Sequence, residues 1–535
     1  MKRPNLLLPK IRLIFGFIFI CSLSSCSDET SKKPPNIVLI YMDDLGWKDI
    51  GVAGSKFYET PYIDALAKGG IRYEKAYSPS PVCTPSRAGV LTGRTPARLQ
   101  YTHVGAGGFS QNEQRHYNNN KTLGVGNKVL EAPGYRNLPL SAKVYAERLK
   151  EVGYKTAYFG KWHCGISEGC RPEQRGFDIA KGYRRAGGDY PHYINERALE
   201  TLVNLPEAKV GDYLSEVLTD LTCDFIRDHA QEPFLVQLSH YLVHSAIIPK
   251  KGKSEKYKNK PITDQYAPDY AAMVESMDES VGQIIETLDK LGIRSNTMII
   301  FTSDNGGLTL PNRTSNYPLM GGKSFSFEGG YRVPFIVNWP GKVPAGVLNQ
   351  DRVVGMDIYP TMLEAAGLPL APKEHADGLS LFPTFQGKAL GPRALYFHYP
   401  HYTHATSPHS SIILDNHKLI RYYNDDEGRY ALYNLEKDPG EQHDLSNKQP
   451  ELVKSLDTRL SQYLNSVDAK MPVPADSEKG RQLIERYGEK KNAVNRRFGA
   501  PGAANNPITN KKTEYDHAMY ERKKAEERLS SLPDE

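Results

Sequence analysis

The stretch Ile37-Val38-Leu39-Ile40-Tyr41-Met42-Asp43-Asp44 decides the fold. Its apolar run is continuous rather than alternating, which predicts a strand buried on both faces, as in a parallel sheet covered by helices. The run stops in two adjacent carboxylates. These repel each other and cost solvation unless a cation sits between them, so a strand ending this way is a metal candidate. Alone, the pair would read as an acidic turn or helix cap. It is not alone: the apolar run from Thr297 to Thr302 ends in Ser303-Asp304-Asn305-Gly306-Gly307. Asp43, Asp44, Asp304 and Asn305 supply only hard oxygen donors, which suits Ca²⁺ or Mg²⁺ rather than zinc and leaves the coordination short of a ligand or two.

Working outward, two more apolar runs end in polar residues. Thr156–Phe159 leads into Gly160-Lys161-Trp162-His163, and Phe234–Leu238 leads toward His240 and His244. In an open α/β sheet, ligands bind outside the carboxyl ends of the strands, so these side chains are expected to converge on one crevice. A lone Lys or His would be dismissed as an ordinary surface or core residue. Helices are expected between the strands: one from Ser141 to Gly153, capped by Ser141 and placing Tyr145, Leu149 and Val152 on one face, and one from Tyr270 to Leu291, with Gly292 at its C-cap. The fold class is α/β, with a mostly parallel central sheet between helices.

The segment Cys83-Thr84-Pro85-Ser86-Arg87-Ala88-Gly89-Val90-Leu91-Thr92-Gly93-Arg94 reads as a turn running into a helix, with Pro85 suited to the first helical position. Cys83 then lies at a helix N-terminus, where the dipole and Arg87 favour an anion and a charged nucleophile. A lone Cys would read as a small buried residue. Cys, Pro, Ser and Arg at these offsets should coincide in on the order of one in a thousand such chains.

Cys-x-Pro-Ser-Arg followed by Leu-Thr-Gly resembles the signature of the type I sulfatases. Further blocks follow in the family's order: Thr60-Pro61-Tyr62-Ile63-Asp64, Gly160-Lys161-Trp162-His163, Ser303-Asp304-Asn305-Gly306, Glu328-Gly329-Gly330-Tyr331-Arg332-Val333-Pro334 and Asp357-Ile358-Tyr359-Pro360-Thr361. The similarity runs from Asn36 to Leu445 and departs at Cys164, where an apolar residue is usual, and at Ser245-Ala246, where a proline is usual. The resemblance implies an alkaline-phosphatase-like fold with a smaller C-terminal α+β domain, and hydrolysis of sulfate esters on sulfated carbohydrates, polysaccharide or oligosaccharide. It also implies that Cys83 is oxidised to formylglycine by dedicated machinery, and that one Ca²⁺ is held by Asp43, Asp44, Asp304 and Asn305 and touches the modified Cys83. By the same resemblance, Arg87, Lys161 and Lys323 stabilise the nucleophile and clamp sulfate, His244 with Lys323 protonates the leaving alcohol, and His163 is the base that lets sulfate go. Rival readings are a phosphate or phosphonate monoester hydrolase of the same superfamily, a non-catalytic glycan-binding lipoprotein, and a Cys-His hydrolase using free Cys83. The last leaves the carboxylates without a purpose.

With 535 residues the chain exceeds one average domain. Its 68 basic and 62 acidic residues give +6, which does not indicate nucleic acid and suits polyanionic substrates only weakly. Lys2, Arg3, Lys10 and Arg12 precede an apolar run from Leu13 to Leu23 that is too short for a comfortable membrane span and reads as an export signal. It ends Leu23-Ser24-Ser25-Cys26, similar to a bacterial lipobox, so Cys26 is expected to carry lipid and anchor the protein at an outer membrane, facing the periplasm or the cell surface. Of the remaining cysteines, Cys164, Cys170 and Cys223, two can pair in an oxidising compartment, Cys164 with Cys170 being the local option. The expected divisions are a signal at 1–25, a linker at 26–35, a catalytic domain at 36–376, a small C-terminal domain at 377–468 and a charged extension at 469–535. In that extension the helix from Thr513 to Leu529 is expected to be solvated or peripheral. The Gly-, Asn- and His-rich segment from Tyr101 to Asn137 is expected to be a loop bordering the site.

Overall fold

The computed structural model describes residues 1, 33–103, 114–115, 126–184, 190–403, 405–425, 429–487 and 511–530. The export signal, Cys26, most of the linker, much of the loop between Tyr101 and Asn137, and the tail at 488–510 lie outside the described residues.

The main sheet has eight strands: β1 (Asn36–Met42), β2 (Ile71–Tyr77), β3 (Lys155–Gly160), β4 (Ile179–Lys181), β5 (Phe234–Ser239), β6 (Thr297–Ser303), β7 (Phe335–Asn338) and β8 (Val347–Val354). Their spatial order is β8-β2-β7-β6-β1-β5-β3-β4, and only β7 runs antiparallel to its neighbours. β1 pairs in parallel with β6 on one side and β5 on the other, all three fully buried, as their continuous apolar runs require. The chain leaves β1 for β2 on one side, whereas β3, β4 and β5 lie on the other, so connections diverge at the carboxyl end of β1 and open the crevice there.

Two helical layers cover the sheet. Val38, Ile40 and Met42 of β1 face a cluster with Ile63 of α1 (Pro61–Lys68), Leu218 of α4 (Leu214–Asp228) and Met273 and Met277 of α5 (Pro268–Lys290). Ile37, Leu39 and Tyr41 face the opposite cluster, with Val90 of α2 (Cys83–Thr92), Leu149 of α3 (Tyr145–Glu151) and Met362 of α6 (Ile358–Ala365). The period-2 alternation of β1 thus feeds two apolar layers.

α3 begins later than the expected Ser141 cap. Its first turn is closed by Glu147, whose carboxylate accepts the Val144 N–H, and Val152 falls past its end into solvent. The pairing left open for the cysteines is not taken up: Cys164, Cys170 and Cys223 are free buried thiols. Burial pushes the Cys164 thiol up to about 12, so it behaves as the apolar residue usual there.

A second sheet, β9 (Leu395–Tyr399), β10 (His409–Leu414), β11 (His417–Tyr422) and β12 (Tyr430–Asn434), is an antiparallel meander. One face packs Ile412, Leu419 and Leu432 against Leu456, Leu460 and Leu464 of α7 (Pro450–Ser466). The other packs Ile420, Tyr422, Ala431 and Tyr433 against Met320, Phe325 and Phe327. After α8 (Glu478–Tyr487), α9 (Lys511–Ser530) joins that same cluster through Ala518, while Arg522 Nη1 donates to Pro318 O at 2.7 Å and His517 stacks on Phe325. Of the two expectations for this helix, solvated or peripheral, the second describes it: it lies at the edge of the body with only Ala518 and Ala525 buried among its described side chains. A helix this rich in charge docks through a few small residues that hydropathy does not weigh.

Three buried histidines in these layers are held neutral. Burial pushes His240 and His409 down to about 3 and His398 to about 4. A base whose folded pKa is depressed adds stability above its unfolded pKa, and that stability drains away as pH falls toward the folded value. Each site should therefore cost up to about 2 kcal/mol at pH 5 relative to neutral pH. Denaturant midpoints measured between about pH 7.5 and pH 5 should fall steeply, and equal stability at both ends would contradict neutral burial.

Candidate active site

The carboxyl ends of β1 and β6 are in register, Met42 opposite Ser303, so Asp43-Asp44 and Asp304-Asn305 leave the sheet side by side. Asp44 adopts a left-handed backbone (φ 63°), which breaks the strand alternation that would send the two carboxylates to opposite faces. The Asp44 N–H donates to Asp304 Oδ1 at 3.2 Å, and Asn305 Nδ2 donates to Asp44 Oδ1 at 2.8 Å. The turn after Asn305 presses onto the 328–330 segment: Gly306 N–H donates to Gly330 O, and a Cβ on Gly306 would lie 1.8 Å from Gly329 O. Only glycine fits there.

Cys83 is the first residue of α2, with Val82 as N-cap and Pro85 in the third helical position rather than the first. Its Sγ stands 3.4 Å from His163 Nδ1, and the Thr84 hydroxyl lies 3.1 Å from His163 Nε2. Cys83, Asp43 and Asp304 can each place a ligating atom within 4.8 Å of the others.

Three cations face the three carboxylates. Arg87 Nη2 lies 2.7 Å from Asp304 Oδ2, with Nε donating to the same oxygen at 2.9 Å. Lys161 Nζ donates to Asp43 Oδ2 at 2.6 Å, and Lys323 Nζ sits 2.7 Å from Asp44 Oδ1. Arg87 is also held by the Lys161 carbonyl, so it braces the site from beneath. His244 Nε2 lies 3.7 Å from Asp44 Oδ2, while its Nδ1 donates to Ser245 O at 2.6 Å. Asp43, Asp44, Asp304, Asn305, Cys83, Arg87, Lys161, His163, His244 and Lys323 are thus brought together. His240 is not: it is fully buried and turned toward Ser280 of α5, with Nε2 2.9 Å from that hydroxyl.

The electrostatics follow from burial and pairing. Burial raises Asp43 and takes Asp304 up to about 6, the latter helped by repulsion from Asp43. For Asp44 burial also works upward, but Lys323 and His244 outweigh it and hold the carboxyl well below the usual range. Burial, and then Lys161 and Arg87, push His163 far down, and burial with Lys323 does the same to His244. Both imidazoles are therefore neutral at physiological pH.

A metal fits this donor set. Asp43 Oδ1 and Asn305 Oδ1 are buried without a hydrogen-bond partner, a cost that a cation bound by both would remove. Three carboxylates already balance Lys161, Lys323 and Arg87, so a bound divalent ion leaves a surplus positive charge for an anionic substrate.

Tyr190, which the sequence patterns did not single out, also belongs to the site. Its ring lies 4.6 Å from Lys161 Nζ and packs edge-on to His244. It follows no strand end and sits in an irregular connection, where no periodicity points to it.

An eight-stranded, mostly parallel sheet with a small antiparallel C-terminal sheet is the alkaline-phosphatase-like architecture, and its site is built to hydrolyse anionic esters. Residues 35–368 match the Sulfatase family, and residues 320–470 match the family described as N-sulphoglucosamine sulphohydrolase, C-terminal. The chain belongs to the sulfatase family and is a sulfuric ester hydrolase. It is 33% identical over 402 residues to N-acetylgalactosamine-6-sulfatase of Canis lupus familiaris, covering 71% of this chain and 72% of the relative. It is 29% identical over 524 residues to a sulfatase of Formosa agariphila, covering 84% and 93%. Among solved structures, the crystal structure of Ps i-CgsB in complex with k-i-k-neocarrahexaose superposes with a TM-score of 0.69 at 27% identity, over 86% of this chain and 98% of that one.

Proposed function

We propose that this sulfatase removes sulfate from sulfated carbohydrates, with Cys83 converted to formylglycine by the cell's modifying machinery and one Ca²⁺ held by Asp43, Asp44, Asp304 and Asn305. The observation that carries the reading is the pair of orphaned oxygens on Asp43 and Asn305 beside the buried Cys83 at the start of α2. When present, the formylglycine hydrate supplies the nucleophilic oxygen and Ca²⁺ supplies positive charge at the sulfate.

The chain's own residues do the rest. Arg87 and Asp304 lock each other in place below the nucleophile, fixing α2 against β6. Lys161 and Lys323 present ammonium groups where sulfate oxygens gain charge. His163, neutral and 3.4 Å from Sγ of residue 83, is placed to take a proton at Nδ1. His244 donates from Nδ1 to Ser245 O, which leaves Nε2 as the atom that gains and then delivers a proton to the leaving alcohol. An arriving sulfate offsets the Lys323 charge that holds His244 down.

Carbohydrate substrates are supported by the names of the relatives and by the oligosaccharide held by the structural neighbour. The test is sulfate release from a panel of sulfated oligosaccharides beside aryl sulfate and aryl phosphate. At least one sulfated sugar should be preferred over aryl phosphate by about a hundredfold in kcat/KM. Turnover of the phosphate alone would favour the phosphate or phosphonate ester reading instead.

A further inference from the structure

Outside the catalytic cluster, a second group of metal-ligating side chains lies where three segments meet. His103 follows the turn at Tyr101-Thr102, Glu131 follows the two-residue strand Val129–Leu130, and His401 stands just past β9. One ligating atom from each of the three lies within 4.8 Å of the others. Two of the segments are joined directly: Ala132 N–H donates to Pro400 O at 3.2 Å, and Tyr402 N–H donates to Glu131 Oε1 at 2.9 Å. The two histidine rings meet edge-on at 4.7 Å.

The hydrogen bonding leaves specific atoms over. His401 uses Nε2 on the Thr102 hydroxyl at 2.9 Å, and its Nδ1, buried, has no partner. Glu131 uses Oε1 on Tyr402, and its Oε2, also buried, has no partner. Both residues are only 1% exposed, so water does not satisfy these atoms from bulk. A hydrogen bond between them would have removed both orphans, and none forms. Ligating atoms gathered within 4.8 Å of one another are close enough for a metal with bonds of about 2.1 Å to bridge.

We propose that His103, Glu131 and His401 form a second metal site that takes Zn²⁺ or a similar borderline divalent ion, distinct from the oxygen-only catalytic site. Two imidazoles and one carboxylate are too few and too nitrogen-rich for Ca²⁺, which wants six to eight oxygens, whereas they match zinc with one position left for water. The Arg136 guanidinium donates to His103 Nδ1 at 3.4 Å, so His103 would exchange this hydrogen bond for the metal at Nδ1 and keep its proton on Nε2. The ion would tie the 101–103 turn to the end of β9. Tyr101, in the same turn, donates to the His163 carbonyl at 3.5 Å, so the tie steadies one wall of the active site without entering it.

The test uses untagged full-length enzyme stripped with chelator, reloaded with Ca²⁺, dialysed against ZnCl₂ and assayed for both metals by elemental analysis and for melting temperature. Wild type should hold one Zn²⁺ per chain beyond its Ca²⁺ and melt about 3 °C higher at a hundredfold excess over the dissociation constant. Glu131→Gln and His401→Ala should each lose the zinc and the shift while keeping Ca²⁺. His103→Asn, at the half-buried edge and so safest for folding, should bind zinc at least about tenfold more weakly. Zinc absent from wild type, or retained at wild-type affinity by His103→Asn, overturns the proposal. Retention by the other two variants would place the zinc in the catalytic site and overturn it equally.

Discussion

Cys83→Ala is expected to lower turnover on the order of 10⁵-fold, the scale on which a nucleophile's removal is felt when the other groups act only through it. The fold should survive. Residue 83 is buried at the start of α2, and trimming the single polar group beyond its Cβ from a helix N-terminus leaves a small void costing about 1 kcal/mol. Melting temperature and activity should therefore part company. Mass spectrometry of the peptide carrying residue 83 supplies the complementary result: active wild type should show the aldehyde form, because a thiolate has no second hydroxyl with which to release sulfate. An alkylatable Cys83 in fully active protein would sink the formylglycine reading.

Asp304→Ala should abolish Ca²⁺ binding and activity together, with turnover down by about 10³-fold or more. Here stability suffers as well, since Arg87, 1% exposed, loses the carboxylate that accepts from its Nε and pairs with its Nη2. Stranding a buried guanidinium costs about 3–5 kcal/mol. Asp304→Asn keeps the shape and one acceptor for Arg87, so it should lose metal and activity with a much smaller fall in melting temperature. Chelation of the wild type should reproduce the loss of activity, and Ca²⁺ should restore it. Full activity after exhaustive chelation, with no metal by elemental analysis, would refute the assignment.

The core of the site was legible because chemistry and fold share one signal. A strand buried on both faces can be read from a continuous apolar run, and carboxylates at its end stand out against that background, as Asp43-Asp44 and Asp304-Asn305 do. The same rule failed for His240. A strand end places a residue near the crevice but does not say which face its side chain takes, and here it points inward to Ser280 while His244, four residues on, reaches Asp44. Tyr190 was illegible because irregular connections carry no period. The start of α3 was misplaced because Glu147 closes the turn from inside the helix, and a serine in a suitable position offered a false cap. The docking of α9, expected only as solvated or peripheral, was not legible because its anchors, Ala518 and Ala525, are the residues that hydrophobic patterning counts least.

The segment bearing Lys323 is gripped by Met320, Phe325 and Phe327 between the meander and α9, and Glu328 just beyond it is tied to Lys418 of β11 and, through its N–H, to Glu441. The two sheets are therefore not interchangeable modules, although they look separable along the chain. A swap that replaced everything after residue 376 with the matching part of a relative would keep each strand of the large sheet and each carboxylate at its end. It would still loosen the ammonium group facing Asp44, because the surface that holds it belongs to the discarded part. Drift in this family should accordingly run freely in the loops at the crevice mouth, while the underside of the meander changes only in step with residues 320–328.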